Sequence, residues 1–171
     1  MKKRFWNAKY LAILLILVLP IGAITFIGIK LTPPRDEAPF LKSFHENRRT
    51  FDQMLAMFQA DTDANTNIAF FANRKPQPWY SDADKLPARR LDEYTVLMSR
   101  AGVESAFRHV QDIGFSLSSW GGLDRGWNLS AVWRQIPPAV LATDWNGMRR
   151  SRERLSYLHI DGNWYFCLMR D

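Results

Sequence analysis

The chain has 171 residues, of which 47% are apolar, with 23 basic and 17 acidic side chains. This length accommodates one ordinary domain with an appendage, and the apolar content excludes a disordered or collagen-like chain. The net charge of +6 comes mainly from residues 1–34, which contain five bases and no acid, whereas residues 35–171 contain 18 bases and 17 acids. Because a nearly neutral domain has no general attraction for a polyanion, the composition argues against nucleic-acid binding.

The N-terminal region has the pattern of a membrane anchor. Leu11 to Ile29 is a run of 19 residues without a charge, and a helix of this length spans about 28 Å, close to the thickness of the hydrocarbon core. The bases in residues 1–10 predict a cytoplasmic tail. Residues 30–38 then form a short linker, and residues 39–171 form an exported domain. This organisation predicts a single-pass protein of a bacterial inner membrane with its C-terminal domain in the periplasm.

Pro20 leaves a second interpretation of this segment open. It interrupts the apolar run, and Ile21-Gly22-Ala23 could serve as a signal-peptidase site after a short apolar stretch. Six further uncharged residues follow that site, and proline is tolerated within spanning helices. The sequence therefore favours an uncleaved anchor over a cleaved signal, and both place the domain outside the cytoplasm.

Helical periodicity follows the linker. Pro39 suits the first turn of a helix, and large apolar residues then recur every three or four positions up to Phe58, with one gap at Arg48. This spacing predicts one amphipathic helix of about twenty residues, with its Phe/Met face in the core. A second helix is predicted from near Pro87 to Gly102, because glycine is a favourable C-terminal cap.

Strand patterns dominate after the second helix. The predicted strands are Val103–Val110, Ile113–Trp120, Trp127–Trp133, Leu155–Ile160 and Asn163–Met169, with a further short strand at Ile68–Phe71. Asp161-Gly162 is a preferred pair for a two-residue hairpin turn. The predicted fold class is therefore α+β, with two helices followed by an antiparallel meander of about four to five strands.

The search for metal ligands finds one partial pattern. The alternating oxygen ligands of a calcium-binding loop are matched by Asp61, Asp63, Asn65 and Asn67. The glycine expected at the sixth position of such a loop is Thr66, and the bidentate glutamate expected at the twelfth is Ala72. The segment is therefore a weak calcium candidate, and a polar loop without metal or cofactor is the favoured interpretation.

No catalytic constellation stands out. The three histidines fall on separate predicted elements, and the single cysteine, Cys167, lies in an apolar run that predicts a buried thiol. The glycines of residues 121–126 lack the Lys-Ser/Thr pair of a phosphate-binding loop. The sequence therefore favours a non-enzymatic protein, with a hydrolase built from scattered His and carboxylate side chains as an alternative.

Two segments are candidate contact surfaces. The first, the Trp-Gly tip, comprises Trp120, Gly121, Gly122 and Trp127. Its rings could dock a protein or stack on sugars, and filling of the core is the alternative. The second, the arginine run, comprises Arg149, Arg150, Arg152 and Arg154. Its guanidinium groups could pair with carboxylates of an acidic partner or with lipid phosphates, and a solvated loop is the alternative.

These observations favour a membrane-anchored envelope protein that binds another protein. Two roles fit this description, an accessory subunit of an envelope complex and an immunity protein that neutralises a toxin. A tether raises the local concentration of the domain near membrane partners, and the immunity role predicts an acidic patch that faces the arginine run. Binding of cell-wall glycan through Trp120 and Trp127 is the first alternative function.

Overall fold

The computed structural model describes residues 33–62, 68–72, 86–110, 112–122 and 125–170. The predicted tail and anchor lie outside these ranges, together with residues 30–32 of the linker and with Asp63, Asn65 and Asn67 of the calcium-like pattern. Within the described ranges, no helix is long and apolar enough to cross a membrane. The anchor of residues 11–29 therefore stays a prediction.

The described residues form helices on one side of an antiparallel sheet. In chain order the elements are α1 (Ala38–Glu46), α2 (Arg48–Asp61), β1 (Ile68–Phe71), α3 (Ala88–Ala101), β2 (Ser105–His109), β3 (Asp112–Gly122), β4 (Arg125–Arg134), α4 (Trp145–Arg150), β5 (Leu155–Asp161) and β6 (Trp164–Arg170). The strand order is β1-β2-β3-β4-β6-β5, with every neighbouring pair antiparallel. The α+β class and the antiparallel sheet are confirmed.

The first predicted helix is two helices, and its prediction as a single element was wrong. Asn47 has φ −105° and ψ 12°, which interrupts the helical backbone, and its side-chain amide donates to Ser43 O over 2.9 Å. The carbonyl of Asn47 then accepts the amides of Thr50 and Phe51, which starts α2. After the bend, α2 spans the sheet from Asp161 of β5, which binds Arg48, to Arg108 of β2, which donates to Thr62 O. The other predicted helix corresponds to α3, and it ends as predicted at Gly102, which has φ 67°.

An aromatic core lies between the helices and the sheet. Phe51 is the centre of this core, because its ring centroid lies 5.1 Å from that of Phe44 and 5.9 Å from those of Phe115 and Trp164. All four rings are buried. The predicted Phe/Met face of the first helical segment is buried against the same core, which confirms that part of the prediction.

The sheet is not a simple meander. The predicted meander was wrong in the order of the last three strands. β4 pairs with β6 instead of β5. Residues 135–154 lead away from the sheet through α4 before β5 forms its edge, and the final hairpin then returns β6 to the side of β4. A register shift after His159 places Asp161 opposite Trp164, so the hairpin turn is Gly162-Asn163, one residue later than predicted.

On the side of the sheet away from the helices, the Phe107 ring lies over Gly114. A Cβ atom at position 114 would stand 2.0 Å from Cζ of Phe107. Gly114→Ala is therefore expected to displace the ring and to lower the free energy of unfolding by about 1–3 kcal/mol. The substitution should cost less in a Phe107→Ala background, which denaturant unfolding of the four chains in detergent would measure. Equal costs in both backgrounds would contradict this account.

Candidate functional site

The two predicted contact segments meet at one end of the sheet. Trp120 of β3 pairs across the strands with Trp127 of β4, and Trp127 pairs with Arg170 of β6. Arg170 also contacts the arginine run, because its amide donates to Arg154 O and its Nη2 donates to Arg149 O, both over 2.8 Å. The site formed in this way, called the basic corner below, comprises Trp120, Trp127, Arg149, Arg150, Arg152, Arg154 and Arg170.

The tryptophans of the basic corner are half-buried and packed. The guanidinium carbon of Arg170 lies 4.0 Å from the centroid of the Trp127 ring, a close cation–π contact. Trp120 meets the ring of Phe40 edge to face, with 5.9 Å between centroids. Both tryptophans therefore contribute to a second apolar cluster around Trp145. Gly121 and Gly122 extend the β3–β4 hairpin beyond them by pairing with residues 126 and 125.

A short helix positions the first half of the arginine run. The Asp144 carboxylate accepts the Gly147 amide over 2.6 Å and caps α4, while Trp145 and Met148 are buried. Residues 149 and 150 form the last turn of α4, and residues 152 and 154 follow in an exposed connection to β5. We did not predict α4, because six residues are too few to show a helical period. The sequence feature that indicates the start of α4 is Asp144, because aspartate is a preferred N-cap residue.

Within the described ranges, the charges of the arginines of the basic corner are not compensated by carboxylates. Among the described residues, none of its five guanidinium groups has a carboxylate within ion-pair distance. Elsewhere in the domain, Arg48, Arg90 and Arg134 each form such a pair. Because residues 150, 152 and 154 are also exposed, their charges are accessible to an anionic partner.

The linker joins the domain beside this corner. Pro33 is buried, and the carbonyl of Pro34 accepts a hydrogen bond from Nε1 of Trp145 over 3.1 Å. The first turn of α1 packs at the same place, since Phe40 stacks on Trp145 with 6.0 Å between ring centroids. The segment that follows the predicted anchor is thus fixed to the helix that carries Arg149.

The described part of the calcium-like pattern is engaged in protein contacts. Oδ2 of Asp61 accepts from Nε of Arg90 over 2.6 Å and from the Tyr94 hydroxyl over 2.8 Å. Burial, followed by this carboxylate, raises the pKa of Tyr94, so the phenol stays a donor. A calcium ion at Asp61 would have to displace both donors. The described ranges contain no group of His, Cys, Asp and Glu residues able to hold a metal.

A second polar cluster lies on the side of the sheet away from the helices. Oδ1 of Asp112 lies 2.8 Å from Nε of Arg134, and the Arg134 guanidinium covers the Tyr157 ring at 5.0 Å. Burial raises the pKa of Asp112 despite this pairing. Burial also raises the pKa of Cys167 to about 12, so its thiol is neutral and a poor nucleophile. His159 is exposed and contacts the carbonyl of Gly162.

The Cys167 thiol supplies a pH test of this burial. Its folded pKa lies above the ordinary value of 9, so it stabilises the fold at lower pH and loses this effect as pH rises from 9 toward 12. Between pH 9 and pH 10, stability should fall with a slope up to about 1.4 kcal/mol per pH unit steeper than in Cys167→Ala. Urea unfolding of both chains at each pH would measure the slopes, and identical slopes would show that the thiol ionises equally in both states.

Comparison with known protein families, curated proteins and solved structures finds no match for this chain. Function is therefore inferred from the residues of the chain itself. Of the predicted site residues in the described ranges, the structure brings the Trp-Gly tip and the arginine run together. It adds Arg170 and Trp145, which the sequence patterns did not single out.

Proposed function

We propose that this chain is a non-enzymatic, single-pass envelope protein whose exported domain binds another protein through the basic corner. The supporting observation is the convergence of five arginines that lack carboxylate partners within the described ranges. A partner with an acidic surface would supply those carboxylates, and complementary charge favours both the rate and the specificity of association. The Trp127 ring under Arg170 gives this surface a rigid base.

Exposed apolar side chains at and near the edge strand β5 support a protein partner. Val140, Leu141 and Leu155 are exposed by 75%, 42% and 44%. The amide of Ala142 donates to Tyr157 O over 2.7 Å, which holds this segment at the edge of β5. Arginine beside apolar residues is typical of protein interfaces, and a segment already fixed in place loses little entropy when it binds.

Two roles are compatible with this surface. An accessory subunit would use the corner to bind a component of its own complex, and an immunity protein would use it to block an acidic surface of a toxin. In both roles one protein binds tightly, and its carboxylates face Arg150, Arg152 and Arg154. The identity of that protein would distinguish the two roles.

The packing of the tryptophans argues against the glycan alternative. A sugar stacks on an open aromatic face, but Arg170 covers a face of Trp127 at 4.0 Å and Trp120 is packed against Phe40. The hydrolase alternative receives no support from Cys167, whose thiol is buried and neutral.

The full chain, tagged and solubilised in detergent from its own cells, provides the direct test. Affinity capture followed by mass spectrometry should recover one stoichiometric protein, and raised salt should release it because charge pairs at a surface are screened. Recovery of wall fragments alone would support glycan binding. Recovery of no stoichiometric partner would contradict the proposal.

A further inference from the structure

This inference rests on the proposed function and concerns the kind of protein that the basic corner binds. It is drawn from the place where the linker joins the domain. We infer that the partner is itself a membrane-bound protein, and that it presents its carboxylates to the basic corner close to the outer surface of the bilayer. The inference depends on three features: the length of the linker, its attachment to Trp145, and the direction of α1.

The linker is too short to hold the corner far from the membrane. The predicted anchor ends at Ile29 and the described chain begins at Pro33, and four residues extend over at most about 14 Å. Pro34 is already bound to Trp145, the first residue of α4. The start of α4 therefore lies within about 25 Å of the end of the anchor, and its six residues add at most about 9 Å before the arginines that follow.

The rest of the domain extends away from this end. α1 leads from Phe40 at the corner to Phe44, whose ring lies 5.4 Å from that of Trp164 at the far end of β6. Arg48, at the start of α2, binds Asp161 at the same far end. The seven residues of β6 separate the two ends by about 20 Å. The basic corner is therefore proximal to the membrane and the β5–β6 turn is distal.

Lipid phosphates at the outer surface of the bilayer also lie near the basic corner, and they attract arginine. Two features favour protein carboxylates. The Arg170 guanidinium is held in one orientation by Arg149 O and the Trp127 ring, which suits directed pairing with an equally ordered group. The exposed Leu155 directly follows Arg154 in the chain, and surfaces that combine arginine with apolar residues are typical of protein interfaces.

The first test measures the distance of the corner from the bilayer. Full-length chains with Arg152→Cys or Arg49→Cys would be labelled with a fluorophore and reconstituted in phosphatidylcholine vesicles that contain a headgroup quencher. Cys167 is buried, so labelling is selective for the new thiol. Quenching should be at least several-fold stronger at position 152 than at position 49, which lies at the distal end. Equal quenching would overturn the inference while leaving partner capture unaffected.

The second test identifies what touches the corner. A photo-crosslinking residue at position 152 of the full chain would be activated in its own cells, and the membranes would then be washed with alkaline carbonate. The expected adduct is a protein that stays in the membrane pellet. Its yield should fall severalfold when a flexible insert of about 20 residues is placed before Thr32, because the effective concentration at the surface drops.

Each other outcome has a separate meaning. Adducts with lipid alone would assign the corner to headgroups and overturn the inference. A protein adduct that the carbonate wash removes, or one whose yield the insert leaves unchanged, would also overturn it, although the proposed protein binding would stand. Absence of any protein adduct, together with absence of a captured partner, would instead refute the proposed function.

Discussion

Trp164→Ala is expected to lower the free energy of unfolding by about 3–5 kcal/mol, a large part of the total for a domain of this size. Trp164 is 2% exposed. Its ring lies 5.4 Å from Phe44, 5.9 Å from Phe51 and 6.0 Å from Phe115, measured between centroids. Alanine would leave a cavity where α1, α2 and the sheet meet. Denaturant unfolding of the full chain in detergent, followed by far-ultraviolet circular dichroism, would measure the loss.

Trp133 provides the matched control for this substitution. It lies opposite Trp164 on β4 but is only half-buried. Trp133→Ala removes the same atoms from a site with fewer neighbours and access to water, so the loss should be clearly smaller. If the two substitutions cost the same, the core would not be centred where the aromatic contacts place it.

The elements that could be predicted from sequence are those whose signal is local. The strands that flank Gly162 and the helix that ends at Gly102 show their period and their turn residue within a few positions. Asn47 could not be identified as a break, because asparagine is tolerated within helices and the apolar spacing resumes after the single gap at Arg48. The order of the strands could not be predicted either, because it depends on pairing between distant segments.

The assembly of the basic corner also depends on pairing between segments that are distant in the sequence. The Trp-Gly tip and the arginine run were each evident in the sequence, but their contact depends on Arg170, which reaches Trp127 only because β6 pairs with β4. In a simple meander β5 would occupy that place. The hydrogen bond from Trp145 to Pro34 joins residues 111 positions apart, and no periodicity in the sequence indicates it.

Reversal of charge in the basic corner is expected to abolish partner capture with little effect on folding. The double substitution Arg152→Glu/Arg154→Glu replaces two exposed guanidinium groups with carboxylates that repel an acidic partner, so the dissociation constant should rise about 100-fold or more. Because both side chains are exposed, the free energy of unfolding should change by no more than about 0.5 kcal/mol. Capture from detergent extract, quantified against the wild-type chain, measures the first effect.

Arg49→Glu/Arg89→Glu is the matched control, because it changes the net charge equally at two exposed positions on the distal helices. If attraction were a property of net charge alone, both double variants would lose the partner to the same degree. If it is a property of the corner, the control should retain binding to within about 3-fold, since distant exposed charges are screened at physiological salt. Retention of the partner by the corner variant would show that its binding surface lies elsewhere on the domain.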